Sequence, residues 1–287
     1  MSLMQKLGLG LGAVLVMLGL ASVNAWAAGP SWLVNGPRFD CEKTTEGARY
    51  KTSLECLGGE RSTAEEKWER KALTGTSGKL LSDQGAEFEA LATKTFVMHF
   101  GSLVTFECAA MSSTGSLVGG PPANSHVAIV FKECSVAGRS REECHVNTIG
   151  RAIGIIAING KEEVLYIGAQ AEAEKEKGQL GELLTPETGE VLTETIVNGT
   201  NCPLFSKGEQ EIKGGAIGEI TPVNSMGIEE KQIFPTTAIK SGYRWIKAGE
   251  VKEVSVALSL FGAIESVMSG EEKMVLESGE EWGVSRT

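Results

Sequence analysis

The sequence predicts an all-β protein: an antiparallel β-sandwich or barrel-like domain with a packed N-terminal β section and few helices. Three observations point there: apolar residues at every second position, 36 glycines in 287 residues, and six cysteines behind an N-terminal export signal. Glycine averages about 7% of an ordinary chain, so the excess implies many tight turns.

The export signal is read first. Lys6 supplies a short positive region, residues 7–20 are an apolar run, and Ala25-Trp26-Ala27 matches the small-x-small pattern that a signal peptidase recognises. A membrane anchor needs about 20 apolar residues, and Asn24 interrupts this run. Residues 1–27 are therefore expected to leave as a signal peptide, with no transmembrane segment after cleavage. Gly8, Gly10 and Gly12 imitate a nucleotide-binding glycine pattern but fall inside this leader.

The remainder is long enough for a substantial core. A composition shift near residue 105 suggests an N-terminal β section at 28–105 and a main β domain at 106–287. No linker marks the border, so the two are expected to pack together. The formal net charge is −10, a surface that repels phosphate backbones and anionic lipid heads, so no nucleic-acid partner is expected. Asp40 and Asp83 are the only aspartates, which argues against Asp-rich calcium loops.

The elements follow from spacing. Val254, Val256, Leu258 and Leu260 alternate with small residues, as on a half-buried strand. Residues 127–131 are continuously apolar and suit a strand covered on both faces. Asn159-Gly160 predicts a hairpin between 152–158 and 161–167, placing Ile153, Ile155, Val164 and Tyr166 on one face. Gly101-Ser102 predicts a two-residue turn joining 94–100 to 103–108, with His99 beside Val104 and Phe106 as a packed or rim histidine. Residues 62–73 begin with capping-type residues and suggest a short helix. Residues 169–177 lack an apolar stripe and read as an exposed loop or hairpin tip.

Chemical motifs are sparse. No Gly-x-Ser-x-Gly, Ser-x-x-Lys or Cys-x-x-Cys occurs, and His99, His126 and His145 have no ligand spacing. Gly75 to Lys79 resembles a phosphate loop, but Leu73 and Leu80 occupy its defining positions. The glutamates of Glu229-Glu230-Lys231, Glu271-Glu272-Lys273 and Glu280-Glu281 read as solvated strand faces. No catalytic or metal-binding residue and no cofactor is assigned. Tyr243 and Trp245, two apart on a strand, share a face and form a candidate aromatic platform for a sugar ring; Trp32, Trp68 and Trp282 lack such context.

Several segments together resemble a family of secreted, β-rich, cysteine-containing proteins of unknown function from soil actinobacteria. They are Ser31-Trp32-Leu33-Val34-Asn35-Gly36, Arg49-Tyr50-Lys51-Thr52-Ser53 with Cys56, and Val104-Thr105-Phe106-Glu107-Cys108. Ile129-Val130-Phe131-Lys132-Glu133-Cys134 with Cys144, and the stretch from Gly215 to Asn224 (GAIGEITPVN), complete the set. The resemblance implies secretion, a β-rich fold, and Cys108, Cys134, Cys144 and Cys202 acting together, but carries no catalytic or binding residue. Six cysteines allow 15 pairings; spacing predicts Cys134–Cys144 and Cys41–Cys56, leaving Cys108–Cys202.

The expected function is a secreted or cell-surface, non-catalytic β-protein with a binding or structural role in the cell exterior. Its expected partner is cell-envelope polysaccharide or a surface protein. Two alternatives stand: a secreted hydrolase using dispersed glutamates on polysaccharide, and a self-assembling surface or filament subunit.

Overall fold

The computed structural model describes residues 29–34, 39–43, 68–72, 79–81, 86–118, 122–202, 208–247, 249–260 and 264–286. Residues 1–27, Cys56 and residues 62–67 lie outside them, and with them the expected signal peptide with its cleavage and the Cys41–Cys56 pairing. The chain is all-β, as expected. The described residues begin with β1 (Ser31–Val34), β2 (Phe39–Lys43), β3 (Trp68–Ala72) and β4 (Lys79–Leu80). Next come β5 (Ala86–Ala92), β6 (Phe96–Phe100), β7 (Val104–Val118), β8 (Asn124–Val136) and β9 (His145–Thr148). Then follow β10 (Ile156–Ile167), a helical turn α1 (Gln170–Ala173), β11 (Gln179–Pro186), β12 (Val191–Asn198) and β13 (Gly208–Gly214). The last third holds β14 (Ala216–Thr221), β15 (Glu229–Phe234), β16 (Ser241–Lys247) and β17 (Glu250–Ser255), then β18 (Leu258–Leu260), β19 (Ile264–Leu276) and β20 (Trp282–Ser285).

Two closed rings of antiparallel strands emerge from the pairings. In the first, β5, β7, β8, β10, β11, β14, β15 and β19 follow one another in chain order, and β19 pairs back on β5. In the second, β6, β7, β8, β9, β12, β13, β18 and β19 close in the same way. The rings share β7, β8 and β19, which at 15, 13 and 13 residues are long enough to serve both. Closure removes the unpaired edges that an open sheet would expose.

Inward side chains alternate with outward ones along each wall. In β8, Val127, Ile129 and Phe131 are buried while Ala128 is exposed, so this strand is covered on one face and not on both as expected. Between the rings Phe96 packs edge-on against Phe131 and Phe234, at 5.4 and 5.9 Å. Gly270 makes room for this layer: a Cβ there would stand 2.6 Å from the Phe96 ring. A smaller outer cluster of Leu165, Ile167, Leu183 and Ile217 is covered by Val254, Val256 and Ile239.

Several expected elements change once both edges of each strand are paired. The Asn159-Gly160 turn does not form. Instead β10 runs through it, pairing with β8 on one side and β11 on the other. Two hydrogen-bonded ladders outweigh a local turn preference, and Ile153 is left exposed. The Gly101 turn does form, with Gly101 at φ 56°. Its loop has three residues, so His99 pairs with Thr105 and is exposed. Residues 68–72, expected in a helix, form β3 because they pair with β2. The stretch from Val254 to Leu260 breaks into β17 and β18, because the first pairs with β16 and the second with β13 and β19. Residues 169–177 connect β10 to β11, as expected of a hairpin tip, with α1 inside. The border at 105/106 falls within β7, and β5 and β6 before it are wall strands.

Candidate functional site

The disulfides differ from the expected pairing. Cys108 joins Cys134 and Cys144 joins Cys202. Cys108 and Cys134 lie directly opposite each other on β7 and β8, a proximity created by strand register and invisible in sequence separation.

The interior of the first ring is acidic. Glu162, Glu182, Glu230 and Glu272 are all buried there, along with Gln232, Ser113 and Ser125. Register puts Gln232 opposite Glu272 and Ser125 opposite Glu162. The Ser125 hydroxyl donates to Glu162 Oε2 at 2.8 Å, and the Val284 backbone N–H donates to Glu230 Oε1 at 3.2 Å. Glu182, Glu230 and Glu272 each keep one buried carboxyl oxygen without a partner, as does the amide oxygen of Gln232, whose N–H side lies toward Glu162. Burial pushes Glu162 up to about 7 and Glu230 up to about 8. Burial, then the charge of Glu162, takes Glu272 to about 8. Glu182 goes well above the carboxylate range through burial and its three acidic neighbours.

Glu230 and Glu272 were expected on solvated faces, and the structure places them inside. A usable signal existed in the parity of each strand. Glu272 shares it with Met268, Met274 and Leu276, Glu230 with Phe234, Glu162 with Ile158 and Val164, and Glu182 with Leu180 and Leu184. Charge masked a period-two pattern that is otherwise apolar. Among the described residues, no three His, Cys, Asp or Glu side chains are disposed to hold a metal ion.

β1 and β20 pair with each other and close one end of this ring. Trp32 and Trp282 meet at 5.7 Å, and Trp32 Nε1 donates to the Asn124 carbonyl at 2.8 Å. The Tyr166 hydroxyl donates to the Arg286 carbonyl at 2.8 Å, holding the segment after β20.

Outside the wall lies a cleft of about 690 Å³, floored by β10 and β11 and walled by β13 and the β16–β17 hairpin. Lys161, Glu163 and Thr185 line its floor, with Lys213, Arg244 and Val254 around them. Arg244 Nη2 donates to Glu163 Oε2 at 2.5 Å and Arg244 Nε to Oε1, a two-pronged pair that pins the hairpin to the wall. Lys213 pairs with Glu211 at 2.7 Å. Fixed polar groups beside Leu183, Val254 and Val256 offer hydrogen bonds and apolar contact together, in the size range of small-molecule sites.

Tyr243 and Trp245 do share one side of β16, and that side faces the core. Trp245 is 5% exposed and tilts against Tyr166 at 6.2 Å, while Tyr243 is half-buried on the same cluster. The open platform expected from spacing is thus packed, and the cleft is formed by their neighbour Arg244 on the opposite face. No family model, curated protein or solved structure matches this chain.

Proposed function

We propose that the protein is an exported, non-catalytic binding protein of the cell exterior, and that the cleft along β10 and β16 takes a segment of cell-envelope polysaccharide. The observation that carries this reading is the cleft itself, where the Glu163–Arg244 fork, Lys161 and Thr185 stand beside the apolar Leu183 and Val254. Sugar rings present hydroxyls at their rims and apolar C–H faces, so such a mixture suits them. Export is supported by the leader pattern, by the resemblance to secreted proteins, and by two disulfides among the described residues. Among those residues no helix is long and apolar enough to cross a membrane.

The test is retention of the mature chain on envelope polysaccharide fractions, compared with Lys161→Ala, an exposed change outside the core. Binding that weakens about tenfold at unchanged melting temperature supports the cleft; one such contact is worth about 1.4 kcal/mol. No retention on any fraction overturns the reading. Turnover of a glycan, abolished by one Glu substitution, replaces it with the hydrolase alternative.

A further inference from the structure

We propose that the acidic interior of the first ring and the β1–β20 pair that caps it form a proton-held latch, seated when the carboxyl groups carry protons and loosened when they ionise. The four acids are almost wholly buried inside the ring, although Glu162 also borders the outer cleft. The wall around them is a continuous ring of paired strands. One end is sealed by Phe96, Phe131 and Phe234, and the other by Trp32, Trp282 and the β20 backbone.

Among the described residues no Lys, Arg or His side chain pairs with these acids. The side chains facing them are Ser113 of β7, Ser125 of β8, Glu162 of β10, Glu182 of β11, Glu230 and Gln232 of β15, and Glu272 of β19. Phe88 and Ala90 of β5 and Ile220 of β14 are apolar, and β20 contributes the Val284 N–H. Protonated, each carboxyl gains a donor for the partnerless oxygens around it, including Gln232 Oε1. Ionised, the same groups are like charges in a medium that solvates them poorly. Parting hydrogen-bonded wall strands or displacing the cap would admit water to them. The cap is the three-stranded sheet β20-β1-β4, whose β1–β20 ladder is only four residues long and touches the layer at Glu230; that short ladder makes it the smaller barrier.

Gln232 argues that the layer is built and not incidental. It is fully buried, points among the acids, and owes its position to Gly218, where a Cβ would stand 2.6 Å from Gln232 Cγ. Gly218 lies in the stretch from Gly215 to Asn224, one of the segments singled out from sequence.

Hydrogen exchange on the full mature chain tests the latch, comparing about pH 6 with about pH 9 after correction for intrinsic rates. Protection of the Val284 amide is expected to fall about tenfold or more with rising pH, while Ile129 in the wall stays protected. In Glu162→Gln/Glu182→Gln/Glu272→Gln, where of the four acids Glu230 alone can still ionise, the Val284 change should shrink markedly. Single Glu182→Gln and Glu272→Gln variants, each expected to move the midpoint upward, serve if the triple variant does not fold. Equal protection at both pH values, or an undiminished fall in the variants, overturns the latch. Millimolar calcium that restores wild-type protection at high pH, without acting on the variants, also overturns it and assigns the layer to a cation instead.

Discussion

Cys108 and Cys134 are register partners on adjacent strands, with Cα atoms 4.0 Å apart, and tie β7 to β8 where the two rings meet. Non-reducing peptide mapping is expected to recover Cys108–Cys134 and Cys144–Cys202. A Cys134–Cys144 peptide would contradict this register. Removing the second bridge, which spans 58 residues against 26 for the first, should cost more of the about 2–4 kcal/mol typical of such links.

Trp245 serves the core. Its truncation to alanine should remove about 3–5 kcal/mol of stability, read as a large fall in melting temperature. A Trp245→Ala protein that melts like wild type but loses glycan binding would restore the exposed-platform reading.

Gly270 has no space for a side chain. Gly270→Ala should push the Phe96 ring out of the layer between the rings, costing about 1–3 kcal/mol in chemical denaturation. An unchanged denaturation midpoint would show that this layer is looser than its geometry implies.

Stability should fall as pH rises. Unfolded glutamates titrate near about 4.3, whereas burial lifts Glu162 to about 7 and Glu230 and Glu272 to about 8. Between those values the folded chain binds more protons than the unfolded one. The contribution is therefore complete below the unfolded value and is lost through the folded ones. A melting temperature lower by roughly 10 °C at pH about 8.5 than at pH about 5 is expected, and should flatten in Glu272→Gln. A rise with pH would contradict the burial of these acids.

Much of this was legible from residues alone. The apolar run at 127–131 marked a strand where β8 lies, though it misjudged how many faces are covered; alternation elsewhere pointed to the all-β class, and Gly101 located a real turn, one residue longer than spacing suggested. Local signals failed where a second neighbour intervened. Asn159-Gly160 has the chemistry of a hairpin, but ladders on both edges of β10 hold it extended. Residues 68–72 have helix-forming composition, yet β2 recruits them as a strand. Tyr243 and Trp245 were rightly placed on one face of β16, though spacing cannot say which face meets the core.

Alternation is a property of one strand, so the sequence by itself determined which side chains share a face. Closure, disulfide partners and the four enclosed acids depend on which strands meet far apart in the chain. Only the tertiary structure decided those, because register between distant strands follows from packing the whole wall at once, and no single segment contains that information.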